Sequence, residues 1–320
     1  MGKWLAGIDI GGTTVKLSII NELGNIKTKW EIPTNVTESG KYIVTDIARS
    51  LLEKLEELGI EKADIRGVGI GAPGFIDVER GLIFEAVNLG WKDFPLKEEM
   101  EKELQLPTFV DNDANIAAIG EMWKGAGEGS VNLLCVTLGT GVGGGIIAGG
   151  EVIHGESGMA GEIGHITSVI EGGAPCNCGK KGCLETVASA TGISRLGLEA
   201  IKKNPTGILQ SIYEKNGSLS SKDVFDAFKE NDPLAEEVVN ESFKHLGFAL
   251  ANLANAINPK TIVIGGGVSK AGDVLVNKII GFFKEYAIPK IAQETTIRLA
   301  TLGNDAGVYG AAWLAKERTK

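Results

Sequence analysis

The sequence predicts an α/β protein built from two similar mixed halves, and three observations carry that expectation. A strand, a Gly/Thr turn and a second strand occur near residue 9 and again near residue 139. Apolar runs of strand character alternate with runs of helical spacing. The length, 320 residues, is enough for two sizeable cores. The repetition is weak and its period too long for a solenoid. A cleft between two facing halves is a natural ligand site.

Along the chain, W-L-A-G-I-D-I, V-K-L-S-I-I and I-K-T-K-W are parted by G-G-T-T and N-E-L-G-N, and predict three antiparallel strands. Over 40–58, Ile43, Ile47, Leu51 and Leu55 recur four apart, as on one face of a helix. I-R-G-V-G-I-G reads as a strand running into A-P-G at 72–74, and P-T-F-V as a short strand into D-N-D-A-N. A-N-I-A-A-I-G-E-M-W then looks helical. N-L-L-C-V-T-L and G-G-I-I-A are strands on either side of G-T-G-V-G. Residues 211–221 read as a polar loop, 242–257 as a helix, T-I-V-I as a strand, and V-S-K-A-G-D-V-L-V-N-K-I-I as a helix after G-G-G. The run G-V-Y-G-A-A-W-L-A-K after Asp305 is a small-residue-rich helix suited to packing on the first half.

The net charge of −9 argues against nucleic acid or an anionic membrane as the main partner. A phosphate compound remains possible, because a few backbone N–H groups and one Mg²⁺ can hold it locally. Residues 131–150 carry no charge and have the length of a membrane span. Seven of those twenty are glycine, so two strands around a tight turn are expected instead. Asp9 interrupts the apolar start, no secretory leader is expected, and the cytoplasm, where thiols stay reduced, is the expected compartment.

Three glycine turns suggest a nucleotide. In D-I-G-G-T-T-V-K, Gly11 and Gly12 let N–H groups and the Thr13 and Thr14 hydroxyls converge on a polyanion. Asp9 could hold a hydrated Mg²⁺, and Lys16 could add positive charge. An ordinary hairpin would explain Gly-Gly alone; the strand-end Asp makes the motif more informative. The second turn, L-G-T-G-V-G-G-G, makes the same offer with Thr140 and Gly141. It matches G-x-G-x-x-G, but a strand follows where a dinucleotide site needs a helix, and no P-loop motif occurs. Gly265, Gly266 and Gly267 follow a strand and leave room for a flat ring, although close strand–helix packing would also explain them.

Three of the four cysteines, Cys176, Cys178 and Cys183, lie in C-N-C-G-K-K-G-C-L-E. The one-residue gap is awkward for a disulfide, and the spacing is not a C-x-x-C redox pair. Thiolates at C-x-C-x₄-C in a Gly-rich loop read as zinc ligands. Cys135 sits in an apolar strand, and His165, eleven residues before Cys176, is the expected fourth ligand. His154 and His245 read as bystanders. Four protein ligands close a metal to substrate, so the zinc is structural. It would gather Glu162, His165 and Glu185 into one patch, and carboxylates accept paired hydrogen bonds from vicinal hydroxyls. Asp113, in V-D-N-D-A-N, reads either as a helix N-cap or as the base for an attacking hydroxyl.

The three glycine turns resemble the phosphate-1, phosphate-2 and adenosine segments of the actin-like ATPase superfamily. With the zinc segment, the chain resembles the ROK family of sugar kinases and repressors over essentially its whole length, most closely the bacterial ROK glucokinases. The resemblance implies two ribonuclease-H-like domains around a central cleft. The smaller would hold 1–117, completed by a C-terminal helix over 305–320. The larger would hold 118–304 with the zinc loop. It further implies ATP, Mg²⁺ and structural Zn²⁺. Asp113 would be the general base, and Asn112, Glu162, His165 and Glu185 would contact sugar, with Gly74 of the A-P-G turn nearby and Asn88 as a further contact.

The implied reaction is phosphorylation of glucose at its 6-hydroxyl. Fructose, mannose, N-acetylmannosamine and N-acetylglucosamine stay open as substrates. A ROK repressor would carry an added N-terminal DNA-reading domain, whereas here the phosphate-1 strand begins by residue 4. A chaperone-like ATPase would have no use for Asn112–Asp113 or the Glu162/His165/Glu185 patch. The family implies a homo-oligomer, dimer or tetramer, with no nucleic-acid or membrane partner.

Overall fold

The structure, a computed structural model, describes residues 3–320. The elements run β1 (Trp4–Ile10), β2 (Thr14–Asn21), β3 (Ile26–Pro33), a single turn α1 (Thr37–Gly40), α2 (Ile43–Leu58), β4 (Ile65–Ala72), β5 (Phe75–Asp77), β6 (Leu82–Ala86), β7 (Trp91–Phe94), α3 (Leu96–Leu104), β8 (Thr108–Asn112) and α4 (Asp113–Lys124). They continue with β9 (Leu133–Leu138), β10 (Val142–Ala148), β11 (Glu151–Val152), α5 (Glu185–Ala188), α6 (Ala190–Lys203), α7 (Gly207–Asn216), α8 (Ser221–Lys229), α9 (Pro233–Ile257), β12 (Thr261–Gly265), α10 (Asp273–Tyr286), α11 (Pro289–Glu294), β13 (Thr296–Leu299) and α12 (Ala306–Arg318).

Two five-stranded mixed sheets, ordered β3-β2-β1-β4-β8 and β11-β10-β9-β12-β13, and a three-stranded sheet, β5-β6-β7, make the class α/β. The described chain separates into two compact units. The first comprises Met1–Ser130, Gly145–Gly161 and Thr301–Lys320; the second comprises Val131–Gly144 and Glu162–Ala300. The first unit keeps α4 whole, so residue 117 falls inside a helix.

In the first unit, β2 pairs antiparallel with β1 and β3, while β4 runs parallel to β1 and β8. The two-residue period of β1 sends Ala6, Ile8 and Ile10 into a core shared with Ile43, Ile47 and Leu51 of α2. Leu5, Gly7 and Asp9 take the other face. Leu5 packs with Ala312 and Ala315 of α12. At Gly7 a Cβ would lie 2.2 Å from the Val308 carbonyl oxygen, so α12 rests directly on strand backbone. In the second unit, β12 runs parallel to β9 and β13 and is buried throughout. Helices α9 and α10 pack against each other in the same unit.

The strand–turn–strand repeats are β1–β2 and β9–β10, and 131–150 forms strands. Among the described residues, no helix is long and apolar enough to cross a membrane.

Several expectations shift. Residues 211–221 are not a loop: α7 runs to Asn216, and α8 begins at Ser221 behind a capping box made by Ser220 and Asp223. The helix expected over 242–257 begins earlier, at Pro233, capped by the Asp232 side chain. The helix expected after G-G-G is a short 3₁₀ turn, Gly267–Ala271, then Gly272 at φ +74°, then α10. The β5–β7 sheet was not read from the sequence; its strands are three to five residues long, too short for periodicity to register.

Candidate active site

In the first unit, Asp9 ends β1, with its carboxylate 3.7 Å from the Lys16 ammonium on β2. Burial pushes the Asp9 carboxyl above its ordinary value, and Lys16 only partly opposes this. A Cβ at Gly307, in the first turn of α12, would lie 2.4 Å from the Asp9 carboxylate carbon, so glycine there gives the carboxylate its room. The turn after β1 is closed by the Gly11 N–H donating to the Thr14 carbonyl oxygen (3.0 Å). Thr34 secures it from outside: its N–H donates to the Thr13 carbonyl oxygen and its hydroxyl to that of Gly11. The Asn88 side chain stands against Gly12, so Asn88 belongs to the surroundings of this turn.

The β8–α4 corner carries Asn112 and Asp113. The expected N-cap moves by one residue: the Asn112 side chain accepts from the Ala114 and Asn115 N–H groups, while Asp113 Oδ1 accepts only from that of Ala114 (2.8 Å). The Asn112 amide also donates to the Gly74 carbonyl oxygen (3.1 Å), bringing the A-P-G turn to this corner. Gly74 has φ +102°, and a Cβ there would meet the Glu85 carbonyl oxygen at 2.1 Å, so the turn requires glycine. Asp113 opens α4 with an exposed side chain.

In the second unit, the β9–β10 turn holds Thr140 and Gly141. Its Gly139 N–H donates to the Gly141 carbonyl oxygen, and the Thr191 hydroxyl donates to that of Thr140 (2.8 Å). The Val142 N–H donates to Oε2 of Glu185 (3.0 Å). Of Gly265, Gly266 and Gly267, Gly266 is the one that must be glycine: its φ is +86°, and a Cβ would sit 2.4 Å from the Leu138 carbonyl oxygen.

The cysteine segment folds as its spacing suggests. One donor atom from each of His165, Cys176, Cys178 and Cys183 lies within 4.8 Å of all the others. Cys176 Sγ is 3.5 Å from His165 Nδ1, and Cys178 Sγ is 3.6 Å from Cys183 Sγ. Ligands on a tetrahedral zinc with bonds of about 2.3 Å stand about 3.8 Å apart, so donor set and spacing both fit that ion. Burial pushes the Cys176 thiol up to about 12 and raises Cys183, whereas the Lys180 backbone N–H lowers Cys178. A bound cation would reverse the first two shifts. His165 Nε2 lies 3.8 Å from Glu162, and Glu185 Oε1 lies 3.7 Å from Cys176 Sγ, so Glu162, His165 and Glu185 gather around the loop. Cys135 is buried in β9, as expected of a core residue.

In the first unit, Asp111 escaped the sequence reading. Asp111 is 1% exposed, and its carboxylate is 2.8 Å from Nε2 of His154, which, as expected, takes no part in the metal cluster. The available signal was an Asp inside an apolar strand, which needs a buried donor. His245 bonds Ser168 and Glu241 instead.

A family model described as "ROK family" matches residues 5–318. A glucokinase of Halalkalibacterium halodurans is 56% identical over 316 residues, covering 99% of this chain and 96% of that protein. A glucokinase of Thermotoga maritima is 36% identical, covering 98% of each. The crystal structure of a ROK family glucokinase from Streptomyces griseus in complex with glucose and AMPPNP superposes with a TM-score of 0.78 at 34% identity, covering 98% of this chain and 99% of that one.

Proposed function

The chain belongs to the ROK family, and from that premise we propose that it is a kinase transferring the terminal phosphoryl group of ATP to the 6-hydroxyl of glucose. Its fold is that of the ROK sugar kinases, of the actin-like ATPase type. The observation that carries the reading is the 56% identity to a glucokinase across nearly the full length of both chains. The glucokinase bound to glucose and an ATP analogue supports both substrates.

Phosphoryl transfer is mostly positioning and charge stabilisation, with one carboxylate at the attacking hydroxyl. Asp113 takes that role: its exposed carboxylate opens α4 beside Asn112, whose side chain caps the helix, and there it would take the hydroxyl proton. Asn112, fixed by Gly74, orients the sugar. Glu162, His165 and Glu185 accept or donate hydrogen bonds to its other hydroxyls. The Gly11–Thr14 and Thr140–Gly141 turns serve the phosphates, and Gly265–Gly267 the adenosine. Asp9 would hold a hydrated Mg²⁺, which neutralises charge on the phosphates. His165, Cys176, Cys178 and Cys183 would hold a structural zinc, and such thiolate ligands suit the reducing cytoplasm.

The test is ADP release with Mg²⁺-ATP across a panel of hexoses and N-acetylhexosamines. Glucose as the best substrate supports the reading; another sugar keeps the mechanism and changes the substrate. Asp113→Asn should fold and lose about 10²–10⁴-fold in kcat. Near-normal turnover in that variant would remove Asp113 from the role.

A further inference from the structure

The pair of buried Asp111 and half-buried His154 lies one residue from the corner that carries Asn112 and Asp113. Both carboxylate oxygens of Asp111 are engaged. Oδ1 accepts the Asn112 N–H (2.7 Å) and the Asn115 side-chain amide (3.0 Å). Oδ2 faces His154 Nε2 at 2.8 Å. An ionised carboxylate only accepts, so Nε2 carries the hydrogen and donates it. Thus one buried anion ties together the last peptide of β8, the first turn of α4 and a residue from the distant segment Gly145–Gly161 of the same unit. His154 is itself held in a closed loop, because its carbonyl oxygen accepts the Ala160 N–H (2.9 Å). The imidazole is 25% exposed and lines a concavity of about 380 Å³ with Glu151, Trp313, Glu317 and Arg318, so nothing in the core requires a histidine there.

We infer that His154 is a positioning residue for the kinase reaction: by holding Asp111 it fixes the direction in which Asn112 and Asp113 leave β8. This inference rests on the roles assigned above to Asn112 and Asp113. The physical reason is the buried charge. With the Nε2–H removed, Oδ2 of Asp111 loses its side-chain donor and faces the concavity that Asp111 also lines, so the carboxylate turns toward water or another partner there. Turning Asp111 moves the Asn112 peptide, whose N–H it holds. A shift of about 1 Å at a reacting group can cost about a hundredfold in rate.

The experiment compares His154→Gln with His154→Asn in the full-length, zinc-loaded protein, with Asp113→Asn measured alongside. A Gln amide reaches about where Nε2 stands and can donate to Oδ2; an Asn amide falls short. Both replacements are neutral and polar, so a purely structural role would move their unfolding midpoints together and leave kcat per folded molecule unchanged. The expected result is an about ten- to hundredfold fall in kcat for His154→Asn with the KM for ATP within about twofold, and recovery of most of that loss in His154→Gln. Equal kcat in the two variants, whether high or low, overturns the inference. If Asp113→Asn is inactive while His154→Asn matches the wild type, only the positioning role fails. If Asp113→Asn stays active, the underlying reading of the corner fails.

Discussion

Gly310→Ala tests how tightly the C-terminal helix governs the site. On α12, a Cβ at Gly310 would lie 1.8 Å from the Ile116 carbonyl oxygen of α4. Carbon and carbonyl oxygen settle at about 3.3–3.6 Å even in the close Cα–H···O contacts between packed elements, so the two helices must part by about 1.5 Å. Neither side can yield by rotating a side chain, because the obstacle is backbone. The neighbouring crossings are as close: a Cβ would meet the Ala311 oxygen at 1.8 Å from Gly69, and the Ala306 oxygen at 2.1 Å from Gly120. Overpacking of this kind costs about 3 kcal/mol at the upper end of the usual range. Alanine returns about 1 kcal/mol through its better helix propensity. The net loss of about 2 kcal/mol corresponds to a fall of about 4–8 °C in the unfolding midpoint.

Gly281 is the matched control. It is an exposed glycine inside α10, and a Cβ there meets nothing within 4 Å. Gly281→Ala should therefore raise the midpoint by about 2–4 °C. Circular dichroism melts and kcat with glucose should be read on both variants. Gly310→Ala should also lose kcat, because α12 carries Gly307 against Asp9 and α4 begins at Asp113. A Gly310→Ala protein that melts no lower than the wild type, with unchanged kcat, would refute the reasoning.

Asp9→Asn should abolish turnover yet leave the unliganded protein at least as stable at pH 7. The Asp9 carboxyl is raised in the folded state above its ordinary 3.8, so the folded state keeps its proton longer than the unfolded state. Its ionisation therefore lowers stability as pH rises from the unfolded-state value up through the raised folded-state one. The midpoint difference, Asn variant minus wild type, should grow with pH from about 4 upward and then level off; a difference that shrinks would contradict the sign. Stripping zinc with a chelator should raise the KM for glucose far more than the KM for ATP, measured with metal content by mass spectrometry. Unchanged glucose affinity in zinc-free protein would show that the loop does not organise the sugar contacts.

Much of the fold was legible because its signals are local. The apolar runs of β1, β2 and β3 parted by Gly and Asn turns, the four-residue spacing on α2 and the uncharged glycine-rich 131–150 each report their own structure. The cysteine cluster was legible for the same reason: Cys176, Cys178 and Cys183 share one short loop, and only His165 comes from outside it. The capping of α4 was misread by one residue, because V-D-N-D-A-N offers adjacent capping side chains and the choice depends on where β8 ends. The Asp111–His154 pair was invisible because its partners are forty-three residues apart and no spacing in the sequence links His154 to the V-D-N-D-A-N segment that holds Asp111. Residues 211–221 were misassigned because polar helix caps look like loop residues until the reciprocal Ser220–Asp223 bonds are seen.

The excess of glycine, 45 residues, has a physical account beyond turns. At two of the carboxylates assigned to chemistry, a glycine makes room for the side chain itself. A Cβ at Gly307 would crowd Asp9 at 2.4 Å, and a Cβ at Gly141 would lie 2.3 Å from Oε2 of Glu185. Glu185 uses that space to accept the Val142 N–H with one oxygen while the other approaches Cys176, so a single side chain joins the second glycine turn to the metal loop. Asp9 uses its space to sit where α12 begins, and donors and partial positive charge at a helix N-terminus favour an anion there. Glycine backbones at Gly7, Gly69, Gly120 and Gly310 then hold α12 against β1, β4 and α4 at separations no side chain would allow. Placing carboxylates at fixed points against backbone requires the flanking positions to be empty of side chains, which a phosphate-binding turn alone does not. On that ground, substitutions at Gly307 and Gly141 should act through Asp9 and Glu185, not through the conformation of the chain.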